Sequence, residues 1–245
     1  EAESGSAKQN YTGSLELRDL GFSYPGATGP LFESLSVNIP AGSICVINGT
    51  NGAGKTTLSR LIVGLIEPSR GQILADGLDL RQVLPEWWRK QVMYMPQEPG
   101  FLNATLVENI TINAPDSENS QLNQIIDASD LRQFLDEAPN GFETPIIDNG
   151  RKLAVGIRRR LSLARALTTN GKLLVFDEPT EGMDKKGSAA VSSILSSLHS
   201  QGYTIIITSH DTNVIKQANI FIDLTSKPIP KIRRSKTKTS EVPNG

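Results

Sequence analysis

Residues 49–57 read GTNGAGKTT and fit the spacing G-x-x-x-x-G-K-[S/T]. An apolar run, ICVIN, precedes them, and Leu58, Leu61, Ile62 and Leu65 follow at helical spacing. A strand, a glycine-rich turn and a helix start, in that order, make a cradle for phosphate groups. Gly49, Gly52 and Gly54 let backbone N–H groups turn inward, with Thr50, Asn51 and Ala53 between them. The helix start adds partial positive charge. Lys55 can reach terminal phosphates, the Thr56 hydroxyl can ligate Mg²⁺, and Thr57 completes the motif. An ordinary glycine-rich turn is the competing reading; Lys-Thr at this offset, between these flanks, argues against it.

A second chemical stretch is KLLVFDEP. Its apolar residues carry Asp177 to the end of a buried strand, near the place where ligands sit in open α/β sheets. Asp177 can hold Mg²⁺ through water. Glu178 points elsewhere and can orient or deprotonate an attacking water. His210 closes another apolar run, TIIITSH, where it could meet a terminal phosphate. Gln97, after VMYMP, is a candidate for Mg²⁺ or water contact. Tyr24, in GFSYPG, fits either a core role or stacking on an adenine ring. His199, on a helical stretch, reads as exposed and carries no role.

These groups need a scaffold. SLELRDLGF and LFESLSVNI alternate apolar and polar residues, the pattern of antiparallel strands. ICVIN, VMYM, LLVFD, TIIIT and IFIDL are short apolar runs, as in buried parallel strands, and helical patterns separate most of them. Residues 104–140 are helical in pattern. The expected class is α/β: a mostly parallel sheet, an antiparallel β subdomain and an inserted helical subdomain at about 100–168. Residues 1–12 read as a polar lead-in, 13–228 as the folded domain and 229–245 as a basic, solvated tail. The chain has 245 residues and a net charge of -1, so no overall field selects nucleic acid, and none is expected as a partner. The single cysteine, Cys45, reads as a buried strand thiol and excludes an internal disulfide. No run approaches the length of a membrane span.

Taken in order, these residues resemble the nucleotide-binding domain of ABC transporters. Tyr24 matches the aromatic A-loop, GTNGAGKTT the Walker A motif, Gln97 the Q-loop and LLVFDE the Walker B motif. EGMD, with Asp184, matches the D-loop, and His210 the switch histidine. DGLDLRQ, PGFLNATLVENI and GFETPIIDNG resemble the exporter branch, bacterial type I secretion and peptide exporters above all. The resemblance implies a P-loop NTPase fold, ATP and Mg²⁺ as cofactors, and ATP hydrolysis that powers export across a membrane. Glu178 and His210 would be catalytic. Thr56, Gln97 and Asp177 would organise the metal. Two such domains would pair head to tail, each signature facing the other's ATP. A membrane-spanning domain, expected upstream of a start that reads as an excised piece, would complete the transporter at the cytoplasmic face of a bacterial inner membrane. The rivals are a soluble ATPase of the same class and a low-turnover ATP-binding module.

The chain departs from the family at the signature. Where L-S-G-G-Q is usual, Leu153, Ala154, Val155, Gly156 and Ile157 stand. The hydroxyl, one glycine and the glutamine are gone. A hydroxyl bonded to a charged phosphate contributes about 1.5–3 kcal/mol, and Val155 disfavours a positive φ. Anion binding there is expected to be weakened, which leaves both a heterodimer and a tolerant homodimer open. In the preceding loop Ile147 and Asp148 replace the usual Gly and Glu. The Arg158–Arg160 run reads as a solvated face or as a contact near the nucleotide. Trp87 and Trp88 read as packing inside the lobe or as a coupling surface.

Overall fold

The computed structural model describes residues 10–235. Alternation is realised in Leu15–Phe22 (β1) and Phe32–Ile39 (β2), which pair antiparallel and turn Leu15, Leu17, Leu20, Leu35 and Ile39 inward. Ile44–Asn48 (β3) is buried on both faces up to its last residue, which is why it reads as an unbroken apolar run. The helix Lys55–Ile62 (α1) follows. It stops earlier than the spacing through Leu65 predicts. Gly64 adopts φ 76°, Leu65 N–H bonds back to the Arg60 carbonyl, and Leu65 is left 58% exposed.

Arg70–Ala75 (β4) and Leu78–Asp79 (β5) continue the antiparallel sheet, in the order β2-β1-β4-β5. Pro85–Gln91 (α2) seats Trp88 in the core, and its indole N–H donates to the Ile62 carbonyl at the end of α1 (3.0 Å). Tyr11, inside the expected lead-in, packs edge-on against Trp88 at 5.3 Å and is itself buried. Both tryptophans therefore pack the lobe.

Val92–Met95 (β6) leads into the helical insertion. It comprises the short pair Ala104–Thr105 (β7) and Pro145–Ile146 (β8), and the helices Leu106–Thr111 (α3), Asn119–Ala128 (α4), Arg132–Glu137 (α5) and Val155–Leu167 (α6). Thr105 and Glu108 form a reciprocal cap at the start of α3. Leu106, Ile110, Ile126, Leu131, Leu161 and Ala164 close a core of its own. Burying each such leucine or isoleucine contributes about 1.5–3 kcal/mol.

Leu173–Asp177 (β9), Lys185–Ser200 (α7), Thr204–Thr208 (β10), Thr212–Ile215 (α8) and Ile220–Asp223 (β11) complete the alternating part. Lys231–Arg234 (β12) pairs antiparallel with β11, so the large sheet runs β12-β11-β3-β10-β9-β6 and is otherwise parallel. This corrects the expected solvated tail at its near end. Charged residues suit an edge strand; Ile232 packs inward and Arg234 donates to the Asn38 carbonyl at 2.8 Å. Residues 1–9 and 236–245, the rest of the expected lead-in and tail, lie outside the described residues.

Alternate residues of β3, β9 and β10 feed two cores. Cys45, Ile47, Val175 and Ile206 face α1 and the antiparallel sheet; Val46, Leu174, Phe176 and Ile207 face α7 and α8. Burial raises the Cys45 thiol to about 12. The fold is the expected α/β arrangement, with the ends of β3, β9 and β10 opening at one edge.

Candidate nucleotide site

At that edge lies a cleft of about 560 Å³, lined by Tyr24, Thr50, Lys55, Thr56, Gln97, Glu178, Glu181 and His210 among others. The turn between β3 and α1 forms its floor. Gly52 and Gly54 sit at φ 78° and 105°, and a Cβ on Gly54 would stand 2.8 Å from Leu31 Cδ2. The backbone conformation disfavours any side chain there, and Leu31 would have to shift to admit one. Ala53 differs from its neighbours: its side chain lies in the apolar core, while its carbonyl accepts from Lys227 Nζ at 2.7 Å. Thr50 and Asn51 are exposed.

Lys55 is 8% exposed, and its ammonium meets three groups. It donates to the Gly49 carbonyl at 2.8 Å, lies 3.1 Å from His210 Nε2 and 3.6 Å from Glu178 Oε1. His210 Nε2 in turn is 3.3 Å from Glu178 Oε1. Residues from three separate strand ends thus converge on one point.

Register explains the convergence. Asp177 pairs with Thr208 across β9 and β10. Thr208 Oγ1 donates to Asp177 Oδ1 at 2.6 Å and accepts from the Glu178 N–H at 2.8 Å. The Glu178 carbonyl accepts from Arg159 Nη1 at 2.8 Å. These bonds hold Glu178 at φ 47°, a conformation costly for a residue with a Cβ and kept only where neighbours over-determine it.

Asp177 supplies a test of fit for the metal. It is fully buried, and its Oδ2 has no hydrogen-bond partner among the described residues. A bare carboxylate oxygen out of water is costly unless a cation meets it. The Thr56 hydroxyl lies 3.3 Å from Gln97 Oε1, which puts a hydroxyl and an amide oxygen side by side in the cleft. Hard oxygen donors of this kind suit Mg²⁺.

Tyr24 is 48% exposed, with its ring edge-on to Phe22, and its hydroxyl shares a 2.6 Å hydrogen bond with Thr57 Oγ1. The Thr57 side chain is thereby tied to the aromatic ring at the side of the cleft. Asp184 caps α7, accepting from the Gly187 N–H at 2.7 Å. His199, expected to be exposed on a helix, is on α7 but half-buried, with Nε2 at 3.0 Å from the Gly42 carbonyl.

The signature position is the start of α6. Leu153 packs into the helical core, while Ala154 and Val155 are exposed. Val155 is the first helical residue and Gly156 the second, so neither needs a positive φ. The conformational cost expected of Val155 is absent; its bulk remains, with Cγ1 3.3 Å from where a Cβ on Gly182 would lie. No side chain caps α6.

Glu181, outside the expected set, lines the cleft, and Arg159 reaches it from behind. Arg159 is 6% exposed, which favours the second reading of the Arg158–Arg160 run, a contact near the nucleotide, over a solvated face. Besides Glu178, it contacts Glu181 Oε2 at 3.3 Å, and that oxygen also accepts from Gln97 Nε2 at 2.9 Å. The available signal was the spacing: Glu181 lies one turn after Glu178, whose carbonyl accepts its N–H.

Known proteins bear on this geometry. The family model for ABC transporters matches residues 32–181, more than half of the chain. The chain is 32% identical over 216 residues to the mitochondrial ATP-binding cassette sub-family B member 10 of Mus musculus, covering 86% of itself and 30% of that protein. It is 32% identical to the alpha-hemolysin translocation ATP-binding protein of Escherichia coli O157:H7 (86% and 30%). It is 33% identical to the ATP-dependent lipid A-core flippase of Desulfotalea psychrophila (84% and 36%). A solved bacterial Atm1-family ABC exporter with ATP bound superposes with a TM-score of 0.82 at 27% identity, covering 87% of this chain and 37% of that one. The chain therefore spans about a third of the length of these proteins. Among the described residues no helix is long and apolar enough to cross a membrane. The chain belongs to the ABC transporter family, as an ATP-binding domain.

Proposed function

We propose that this chain binds and hydrolyses ATP, and that the cycle powers export of a substrate through a membrane-spanning domain. The observation that carries this reading is the convergence of Lys55, Glu178 and His210 within 3.6 Å beside the phosphate-type loop. Loop N–H groups and the start of α1 bind the phosphates. Lys55 gives up its contacts with the Gly49 carbonyl, His210 and Glu178 in favour of phosphate oxygens. Glu178, so released, takes a proton from the attacking water, and its over-determined backbone keeps the carboxylate aimed. His210 donates to the terminal phosphate. Thr56, Gln97 and Asp177 would hold Mg²⁺, which supplies charge neutralisation on the phosphates. Tyr24 offers its exposed ring to the adenine.

The uncapped start of α6 supports a role toward a second nucleotide domain, whose ATP it would face. Ala154 brings no hydroxyl, so N–H groups and helix dipole alone serve that contact. The assembly belongs at the cytoplasmic face of a membrane.

The test is to purify the membrane assembly that holds this chain, identify its polypeptides and measure phosphate release. Lys55-dependent turnover together with a membrane-spanning domain is expected. Full turnover by a chain recovered free of any membrane-spanning polypeptide would overturn the export reading. One kind of nucleotide domain or two settles the pairing.

A further inference from the structure

The cleft contains a carboxylate that the chemistry above leaves idle. Glu181 lines the cleft, and its Oε2 accepts from Gln97 Nε2 at 2.9 Å while meeting Arg159 Nη2 at 3.3 Å. Arg159 is buried, and its other terminal nitrogen holds the Glu178 carbonyl at 2.8 Å. Glu181 is thus pinned from below and reaches Gln97 above.

A carboxylate only accepts hydrogen bonds. The Gln97 amide can sit in two orientations of nearly equal shape, and only one presents its NH₂ to Glu181. In that orientation the amide oxygen turns to Thr56, whose hydroxyl is 3.3 Å away. This oxygen and this hydroxyl are two of the three donors assigned above to the metal. Reversed, the amide would direct NH₂ at a dication and its oxygen at a carboxylate, both repulsive.

We propose that Glu181 is a positioning residue for metal ligation: anchored by Arg159, its carboxylate fixes the Gln97 amide with the oxygen toward Thr56. The proposal rests on reading the cleft as a Mg²⁺–nucleotide site. One guanidinium then ties three segments together: the loop after β6, the turn after β9 and the start of α6. The glutamine on the metal side and the glutamate on the water side share that anchor.

Equilibrium ATP binding to the full chain, titrated with Mg²⁺ and repeated in EDTA, tests this. Wild type, Glu181→Ala, Gln97→Ala and the double variant are compared, with Mn²⁺ paramagnetic resonance as a direct count of bound metal. A hydrogen bond to a charged group is worth roughly tenfold or more in an equilibrium, and half-exposure of Glu181 places it at the low end. Glu181→Ala should raise the Mg²⁺ needed for half its effect by about tenfold, with ATP affinity in EDTA held within about twofold. In the Gln97→Ala background the same change should cost nothing more. Glu181→Gln keeps the size but permits both amide orientations, and should fall between.

A merely structural Glu181 would weaken binding in EDTA and in Mg²⁺ alike, and its effect would add to that of Gln97→Ala; either result overturns the proposal. Unchanged metal dependence in Glu181→Ala overturns it too, and leaves the nucleotide site standing. Wild type without Mg²⁺-dependent ATP binding overturns both.

Discussion

Restoring a single hydroxyl at the start of α6 gives two separable effects. Ala154 occupies the cap position at φ -57° and ψ 146°, and no side chain accepts from the first turn. The helical ladder begins with Arg158 N–H to the Ala154 carbonyl at 3.0 Å, ahead of which the N–H groups of residues 155–157 have no helical partner. Serine adopts this extended cap conformation without strain, and the site is exposed, so Ala154→Ser adds no crowding. A serine cap is worth about 1 kcal/mol over alanine. In a domain of this size that raises Tm by about 2–4 °C. The second effect concerns the ATP of the proposed partner domain. A hydroxyl bonded to charged phosphate contributes about 1.5–3 kcal/mol, or roughly tenfold to over a hundredfold in ATP-dependent pairing. Calorimetry reads the first effect. Sedimentation with ATP, in a Glu178→Gln background in which hydrolysis is slowed, reads the second. An unchanged or lower Tm would refute the cap geometry. A raised Tm with unchanged pairing would refute the claim that this helix start faces an anion.

Other outcomes follow from particular contacts. Cys45, buried and shifted to about 12, should resist a thiol reagent at pH 8 in the folded chain and react once unfolded; rapid labelling of the native chain would contradict its placement. Tyr24→Phe keeps the ring but loses the 2.6 Å bond to Thr57, so it should weaken ATP binding less than Tyr24→Ala; equal losses would assign the effect to the hydroxyl. The Arg81 guanidinium holds the Asp79 carboxyl below its usual range. A depressed carboxylate stabilises the fold above its unfolded value, near 3.9, and that contribution fades as pH falls through the folded value. Asp79→Asn should therefore flatten the acid side of the stability profile, and a profile unchanged by it would exclude this pair.

What could be read from the sequence was local chemistry on apolar strands. GTNGAGKTT carries its own conformational demand in its glycines, and Asp177 is delivered by a run that has to be buried. Both the loop and the carboxylate therefore fell where expected. Elements whose reasons are not local were missed. The strand β4 has only its last residues buried, and β12 shows three charged residues because it is an edge. The helix α2 is seven residues long and held chiefly by Trp88. The run at Arg158–Arg160 left a solvated face and a contact near the nucleotide both open, because its basic neighbours hide the helical phase that turns the Arg159 guanidinium inward. The spacing from Glu178 marks Glu181, but its partners Gln97 and Arg159 come from segments far away in sequence, so those contacts had to be seen in the fold.

The most direct measurement is ATP binding and phosphate release by Glu178→Gln beside wild type, in the purified assembly that holds this chain. The substitution keeps the shape of a side chain that meets Lys55 and His210 but removes the group able to take a proton. ATP binding should persist, and turnover should fall by about a hundredfold or more, the usual weight of a general base. Wild-type turnover in Glu178→Gln would remove Glu178 from the chemistry and with it the central claim for this site.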